Sequence, residues 1–418
     1  MTEISVFLDI PDVEVIGVER SKNGNYHIFV QSTKKGTHCR NCGKLIDKFH
    51  GYDKEIVLRH FPILDNKVYI HFKPIRYICP DCHDKPTTTQ KSSWYTPRSP
   101  YTKAYEEYIL RCLINSTVED VSAKEDVGYE SVMGVINRNI GEEVDWEKIN
   151  KLEVLGIDEI SLKKGHKDYA TIITGYLHEK IRILGVLEGR KKETVETFLR
   201  GIPERLRETV KYVCSDMYEG FVNAAYSVFG KDIKVVVDRF HVAKKYRECL
   251  DELRKQEMRK LKKELPEEDY KKLNGAMWVI RKAEKELTEE EREVQARLFE
   301  YSPDLNRGYE LSQELTSIFD GDNTKAEGMK KMEEWIKDVK ESGLRCFDNF
   351  VCTLENWMDE ISNYFERRLT SGFVEGLNNK IKVIKRRCYG ILNIRHLFQR
   401  IYLDLEGYTR FVWPQRTY

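Results

Sequence analysis

Residues 151–161 read KLEVLGIDEIS. Leu152, Val154, Leu155, Ile157 and Ile160 make a short, nearly continuous apolar run, the pattern of a strand buried on both faces. Asp158 sits inside that run, where a carboxylate is costly unless it is paired or bound to a metal. Residues 169–176 (YATIITGY) and 180–187 (KIRILGVL) read as two further strands. After residues 191–193 an amphipathic helix places Val195, Phe198 and Leu199 on one side. Residues 211–214 form a fourth strand that ends at Ser215-Asp216. A helix over residues 218–229 leads to a fifth strand, 233–237, which stops at Asp238.

The chain has 418 residues, enough for two to four domains. Lys plus Arg number 70 against 69 Asp plus Glu, so bulk charge does not point to a nucleic-acid partner and local charge has to. No run of 18 apolar residues exists, which excludes a transmembrane helix. The N-terminus, MTEISVFLDIPDVEV, lacks the basic and long apolar regions of a signal peptide. Four of the ten cysteines stand in two CxxC pairs and six are scattered, which fits a reducing cytoplasm better than a disulfide framework.

Strands over residues 13–19 and 26–31 flank Asn23-Gly24, a hairpin signal. Cys39-Arg40-Asn41-Cys42 follows. A second strand-rich stretch, 67–78, leads into Cys79-Pro80-Asp81-Cys82, with 36 residues between the two pairs. Two such knuckles on strands suit a structural, tetrahedral zinc site with Cys39, Cys42, Cys79 and Cys82 as ligands. A redox CxxC would stand alone beside a βαβ unit. His38 and His83 flank the knuckles, but four sulfurs already close the site.

Residues 85–101 carry Pro86, Pro97 and Pro100 in a polar setting and read as a linker. A helix follows with Tyr105, Tyr108, Ile109 and Leu113 on one face. A second is capped by Thr117 or Ser116. A third, 129–140, comes after Gly128 with Val132, Val135 and Ile136 inward. Three short helices with a glycine turn before the last resemble a helix-turn-helix, which makes Tyr129, Glu130, Ser131, Asn137 and Arg138 groove-facing candidates. The same pattern also suits an ordinary helical bundle.

Between residues 241 and 300, 31 of 60 residues are charged, which excludes a core. Val242, Tyr246, Cys249, Leu250 and Leu253 recur at helical spacing, so the stretch reads as a long solvated helix with one apolar stripe. Helices over 301–318 and 326–339 follow. Trp278, Trp335 and Trp357 read as packing between helices; the sharper alternative is stacking on an unpaired base. In SGFVEGLNNKIKVIKRRCY, residues 371–389, Val374, Leu377, Ile381 and Ile384 form one helical face. Glu375, Asn379, Lys382 and Arg386 form another. Residues 366–400 hold nine Lys/Arg and two Glu, a local charge of +7 in a chain of net +1. Such a patch around one acid suits a phosphodiester site, with cations such as Lys382, Lys385, Arg386 and Arg387 to hold DNA. On this stretch alone a solvated basic helix fits equally well.

Three strands, helix, strand, helix, strand, with an acid ending the fourth strand, resembles a ribonuclease-H-like core, in which strand one lies beside strand four. GIDEI, CSDM, VVVDRFHV and SGFVEGLNNKIKVIKRRCYG, behind a CxxC–CxxC module and a helix-turn-helix, resemble the ISL-three family of bacterial insertion-sequence transposases over nearly the whole chain. The resemblance implies a DDE-class transposase with Asp158, Asp216 and Glu375 as its triad; Glu375 stands 159 positions after Asp216. Asp238 and His241, in DRFHV, would support the site without ligating. Three converging carboxylates need compensating cations. Two Mg²⁺ or Mn²⁺ ions roughly 4 Å apart would serve, since oxygen ligands disfavour zinc.

The fold class this gives is a multidomain α+β chain. A zinc-ribbon-like β module spans residues 1–92 and a helix-turn-helix 93–148. A ribonuclease-H-like core spans 149–242 and 365–418, interrupted by a helical insertion over 243–364. The implied function is to bind the terminal inverted repeats of an insertion sequence, cut the DNA and join the 3′-hydroxyl to target DNA. The implied partner is double-stranded DNA, bound by a homodimer in the bacterial cytoplasm at the nucleoid, with no membrane. A DNA-binding regulator leaves Asp158 and Asp216 unexplained, and another ribonuclease-H-like nuclease or resolvase does not need the N-terminal modules.

Overall fold

The computed structural model describes residues 8–141, 143–162, 168–177, 180–237, 239–369 and 372–412, without the side chains of residues 180 and 372–375. The chain divides into two compact units, residues 1–140 with 403–418, and residues 141–402.

In the first unit Val13–Arg20 and Tyr26–Ser32 pair as the expected hairpin, with Gly24 at φ +85° in its turn. They join Ile56–Ile63 and Asn66–Phe72 in one four-stranded sheet, whose inner face buries Ile28, Val30, Leu58, Val68, Ile70 and Phe72. Residues 85–101 are more than a linker. Thr87–Thr89 pairs with Ile75–Ile78, and Trp94 is buried against Phe72. Proline and polar residues dominate that stretch by count, but one indole carries enough apolar area to anchor it. Lys103–Leu113, Val118–Glu125 and Tyr129–Asn139 form the three expected helices, and Thr117 caps the second. The left-handed turn residue before the last helix is Asp126, at φ +48°, not Gly128, which serves as the helix N-cap. Aspartate tolerates that conformation better than most residues with a side chain.

The second unit is built on a five-stranded sheet. In chain order the strands are Val154–Ser161, Tyr169–Leu177, Lys180–Glu188, Tyr212–Ser215 and Lys234–Val237. Their order across the sheet is third, second, first, fourth, fifth. The first three are antiparallel, and the fourth and fifth run parallel to the first. The fourth strand therefore lies beside the first, as the chain order implied.

Alternation puts Leu155, Ile157, Val213 and Val235 on one face, where they pack under Lys192–Gly201 and Glu219–Phe229 through Val195, Leu199, Phe221 and Val222. Val154, Tyr212, Cys214 and Val236 fall on the other face. They belong to a large apolar cluster with the helices that follow the sheet.

That cluster corrects the reading of residues 241–300. The first helix, Arg239–Glu264, stops before Pro266, and shorter helices follow. Its stripe is not solvated: Val242, Tyr246, Leu250 and Leu253 are buried against Pro303–Asp320 and Lys325–Ser342. Charge density counts all faces of a helix, whereas a core needs only one. Trp335 packs as expected, 2% exposed, with Nε1 donating to the Leu311 carbonyl at 2.8 Å. Trp278 does not; it is 58% exposed.

Candidate active site

Two adjacent strands build the site, the first through a residue inside it and the fourth through the residue just after its end. The first and fourth strands run parallel in the register Val154↔Tyr212, Gly156↔Cys214 and Ile157↔Ser215. Asp158 and Asp216 are the next residues on each chain. With side chains alternating, both share the face of Val154, Tyr212 and Cys214. Burial pushes the Asp158 carboxyl up, against the pull of the Glu159 N–H, His241 and Asn378. Burial, reinforced by the neighbouring Asp158 charge, pushes Asp216 up to about 6. Asp216 Oδ1 is buried and has no partner among the described residues.

Three elements close around the pair. His241, in the first turn of Arg239–Glu264, lies close enough to act electrostatically on both aspartates. Glu159 is held by Arg190 at 3.1 Å, and the Arg190 guanidinium sits over the rings of Tyr169, at 4.6 Å, and Tyr218, at 5.1 Å. The helix Gly372–Arg387 lies on the first strand: Asn378 Nδ2 donates to Asp158 Oδ2, and Lys385 Nζ donates to the carbonyl oxygens of Ser161 and Leu162. Its apolar face is the expected one, with Leu377, Ile381 and Ile384 buried. Glu375 belongs to this helix, but its side chain lies outside the described residues, as does Asp238 entirely.

An orphaned buried carboxylate oxygen, two aspartates both pushed toward protonation, and a donor set made wholly of oxygens fit a hard divalent cation. The chemistry predicts a pH response. Below about pH 6 Asp216 holds a proton that a cation must displace, so Mn²⁺ affinity is expected to fall about tenfold per pH unit there. In the metal-free protein the raised Asp216 value stabilises the fold below the unfolded carboxyl range, and that stability is lost as pH rises through 6. The melting-temperature gain on adding Mn²⁺ should therefore be larger at pH 7.5 than at 5.5, and Asp216→Asn should level the two. Equal gains in the unaltered protein at both pH values would contradict the assignment.

A transposase family model matches residues 155–401, from the first strand through the helix that carries Glu375. The chain belongs to the ISL-three family of transposases. The transposase for insertion sequence element IS1001 of Bordetella parapertussis is 25% identical over 387 residues, 92% of each chain. The transposases for insertion sequence element IS1557 from two Mycobacterium tuberculosis strains are each 22% identical over 392 residues, 88% of this chain and 86% of theirs. A transposase role, and with it enzymatic action on DNA in general, follows from this membership.

Elsewhere in this transposase the four cysteines form a cluster whose sulfurs all lie within 4.8 Å of one another. Cys39 and Cys82 are 3.9 Å apart and Cys42 and Cys79 3.8 Å. Four sulfurs at about 2.3 Å from a tetrahedral zinc would be about 3.8 Å apart, so the group can hold that ion. N–H donors from Cys42 and Asn41 push the Cys39 thiol down to about 6. His38 is turned to the Gly43 carbonyl and His83 lies beside Asp84.

Among the DNA-contact candidates, Tyr129, Glu130 and Asn137 are exposed and Ser131 is half-buried. Arg138 is exposed and ion-paired, 2.7 Å from Glu106, which is 2% exposed and also holds Ser99 and Asn139. Lys382 and Arg386 are exposed. Arg367 pairs with Glu153, and Arg368 with the Gly321 carbonyl. The sequence reading missed Asn378, Arg190 and Glu159. Asn378 neighbours the chosen Asn379, and only docking of the helix decides which of the two faces the sheet.

Proposed function

We propose that this protein is a DDE-class insertion-sequence transposase. It cuts DNA at the ends of its element and joins the freed 3′-hydroxyl to target DNA at one metal-dependent carboxylate site on a ribonuclease-H-like core. Asp158, Asp216 and Glu375 are the carboxylates of this reading. The observation that carries it is the placement of Asp158 and Asp216 directly after the paired residues Ile157 and Ser215 of two adjacent parallel strands, both carboxyls pushed toward protonation. The sheet order supports the core assignment. Glu375 stands three residues before Asn378, and residues three apart share a helix face.

Mg²⁺ or Mn²⁺ bound by these carboxylates would lower the pKa of an attacking water or hydroxyl and stabilise the leaving oxygen. The chain's own residues set the stage. The sheet register fixes two carboxylates side by side, His241 acts electrostatically on both, and Arg190 holds Glu159 aside. Cys39, Cys42, Cys79 and Cys82 hold a structural zinc. Tyr129, Glu130, Ser131, Asn137 and Arg138 read the element's ends, and the protein acts as a homodimer on DNA in the cytoplasm. The direct test is a cleavage and joining assay in Mg²⁺, on DNA carrying the inverted repeats that flank the coding region. Product formation no greater than in a metal-free control would sink the reading.

The two kinds of arginine separate in experiment. Arg386→Ala removes an exposed cation, so it should weaken binding to all DNA sequences alike and reduce the salt slope by about one unit. Arg138→Ala strands the buried Glu106 carboxylate, so it should cost about 2 kcal/mol of stability, read as a lowered melting temperature. A salt slope unchanged by Arg386→Ala, or Arg138→Ala melting like the parent, would contradict these roles.

A further inference from the structure

We propose that Asn378 is a positioning residue of the metal site: its amide holds the Asp158 carboxylate in place and turns a free oxygen toward the same site. The inference rests on the metal-dependent reading above. Three observations carry it. Asn378 is 7% exposed, so it is not a surface amide that happens to lie near an acid. Its Nδ2 donates to Asp158 Oδ2, and its Oδ1 is buried without a partner among the described residues. An ionised carboxylate accepts only, so the amide must meet it through nitrogen, which leaves the oxygen facing elsewhere.

A buried, unsatisfied amide oxygen is a cost that a residue serving packing alone would not carry. Asp216 Oδ1 is likewise buried and without a partner, and its carboxyl feels the Asp158 charge. Two orphaned oxygens around one aspartate are the environment a hydrated cation satisfies. Asn378 does not have to hold the helix on the sheet by itself. Lys385, seven residues on and so on the same face, ties the helix to the Ser161 and Leu162 carbonyls, and Leu377, Ile381 and Ile384 are buried. Replacing Asn378 should therefore leave the helix docked and disturb the Asp158 carboxylate.

The test uses the full-length protein, with Mn²⁺ as the probe. Free Mn²⁺ is followed by electron paramagnetic resonance during a titration, and the melting temperature is recorded without metal. Asn378→Leu keeps the volume and removes both polar atoms; Asn378→Ala removes the side chain. Both are expected to raise the Mn²⁺ dissociation constant about tenfold, with the melting temperature of the Leu variant at or above that of the parent. If Asn378→Leu binds Mn²⁺ as tightly as the parent, the proposal is overturned. It is also overturned if affinity falls only together with melting temperature, which would make Asn378 a packing residue. Asp158→Asn separates the deeper failure: if the parent binds Mn²⁺ no better than this variant, the metal-site reading itself falls and takes the proposal with it.

Discussion

Glu375→Gln should abolish strand cleavage and strand transfer together in Mg²⁺, while folding and DNA binding persist. One site is proposed to perform both steps, so loss of one carboxylate cannot spare either. The substitution keeps the volume and removes the charge. Losing a metal ligand costs several kcal/mol of transition-state stabilisation, on the order of a thousandfold or more in rate. The choice of Glu375 over nearby acids rests on where those acids are engaged. Glu366 pairs with Lys234, Asp359 with Lys325, and Glu360 accepts from the Tyr226 hydroxyl. Each is held by another part of the fold. Glu375 instead precedes by one turn the residue that touches Asp158. Glu366→Gln should therefore cleave at close to the parent rate. Single-turnover cleavage on an end-containing duplex measures both variants. A fast Glu375→Gln, or a dead Glu366→Gln, would move the third carboxylate elsewhere.

The strands were legible because burial on both faces leaves an unmistakable apolar run. Asp158, a carboxylate inside the first run, and Asp216, just past the fourth, stood out before any geometry was available. Their pairing needed topology, because residues 58 positions apart become neighbours only through the parallel register of two strands. The helix around Glu375 was legible in its apolar face, since Leu377, Ile381 and Ile384 repeat at helical spacing and are buried. Its polar face was less so. Asn378 and Asn379 are adjacent and chemically identical, and a 100° step decides which one meets the sheet. Arg138 shows the opposite limit. Its place on a helix after a turn suggests DNA, and nothing in the local sequence reveals that the same exposed guanidinium is also tied to a buried carboxylate, Glu106, 32 positions earlier. Arg190 is similar: its partners Glu159, Tyr169 and Tyr218 come from three separate elements.

Cys79→Ser should cost the N-terminal module its zinc and unfold the short β segments around the cysteines. The four cysteines tie two short β segments that are joined otherwise by polar contacts: Lys44 pairs with Asp81 at 2.9 Å, the Arg40 N–H donates to Thr88 Oγ1 at 3.1 Å and Gln90 Nε2 donates to the Gly36 carbonyl at 3.0 Å. Cys39 follows Thr37–His38, Cys79 follows Ile75–Ile78, and among the described residues the apolar cluster around them holds Ile46, Ile75 and Tyr77 besides cysteines. A core that small supplies little burial energy, so metal binding must carry the fold of this part, as it does in small zinc modules generally. The larger sheet behind it, with Ile28, Val68, Ile70 and Phe72, has a core of its own and should survive. The parent protein should contain about one zinc per chain by elemental analysis, and Cys79→Ser about none. Amide exchange in the variant should rise sharply through residues 37–46 and 75–89 and stay near the parent level in Asn66–Phe72. Chelation of the parent should reproduce that pattern. A zinc-free protein that keeps residues 37–46 protected would show that the cysteines pack as thiols and that the cluster's geometry serves no metal.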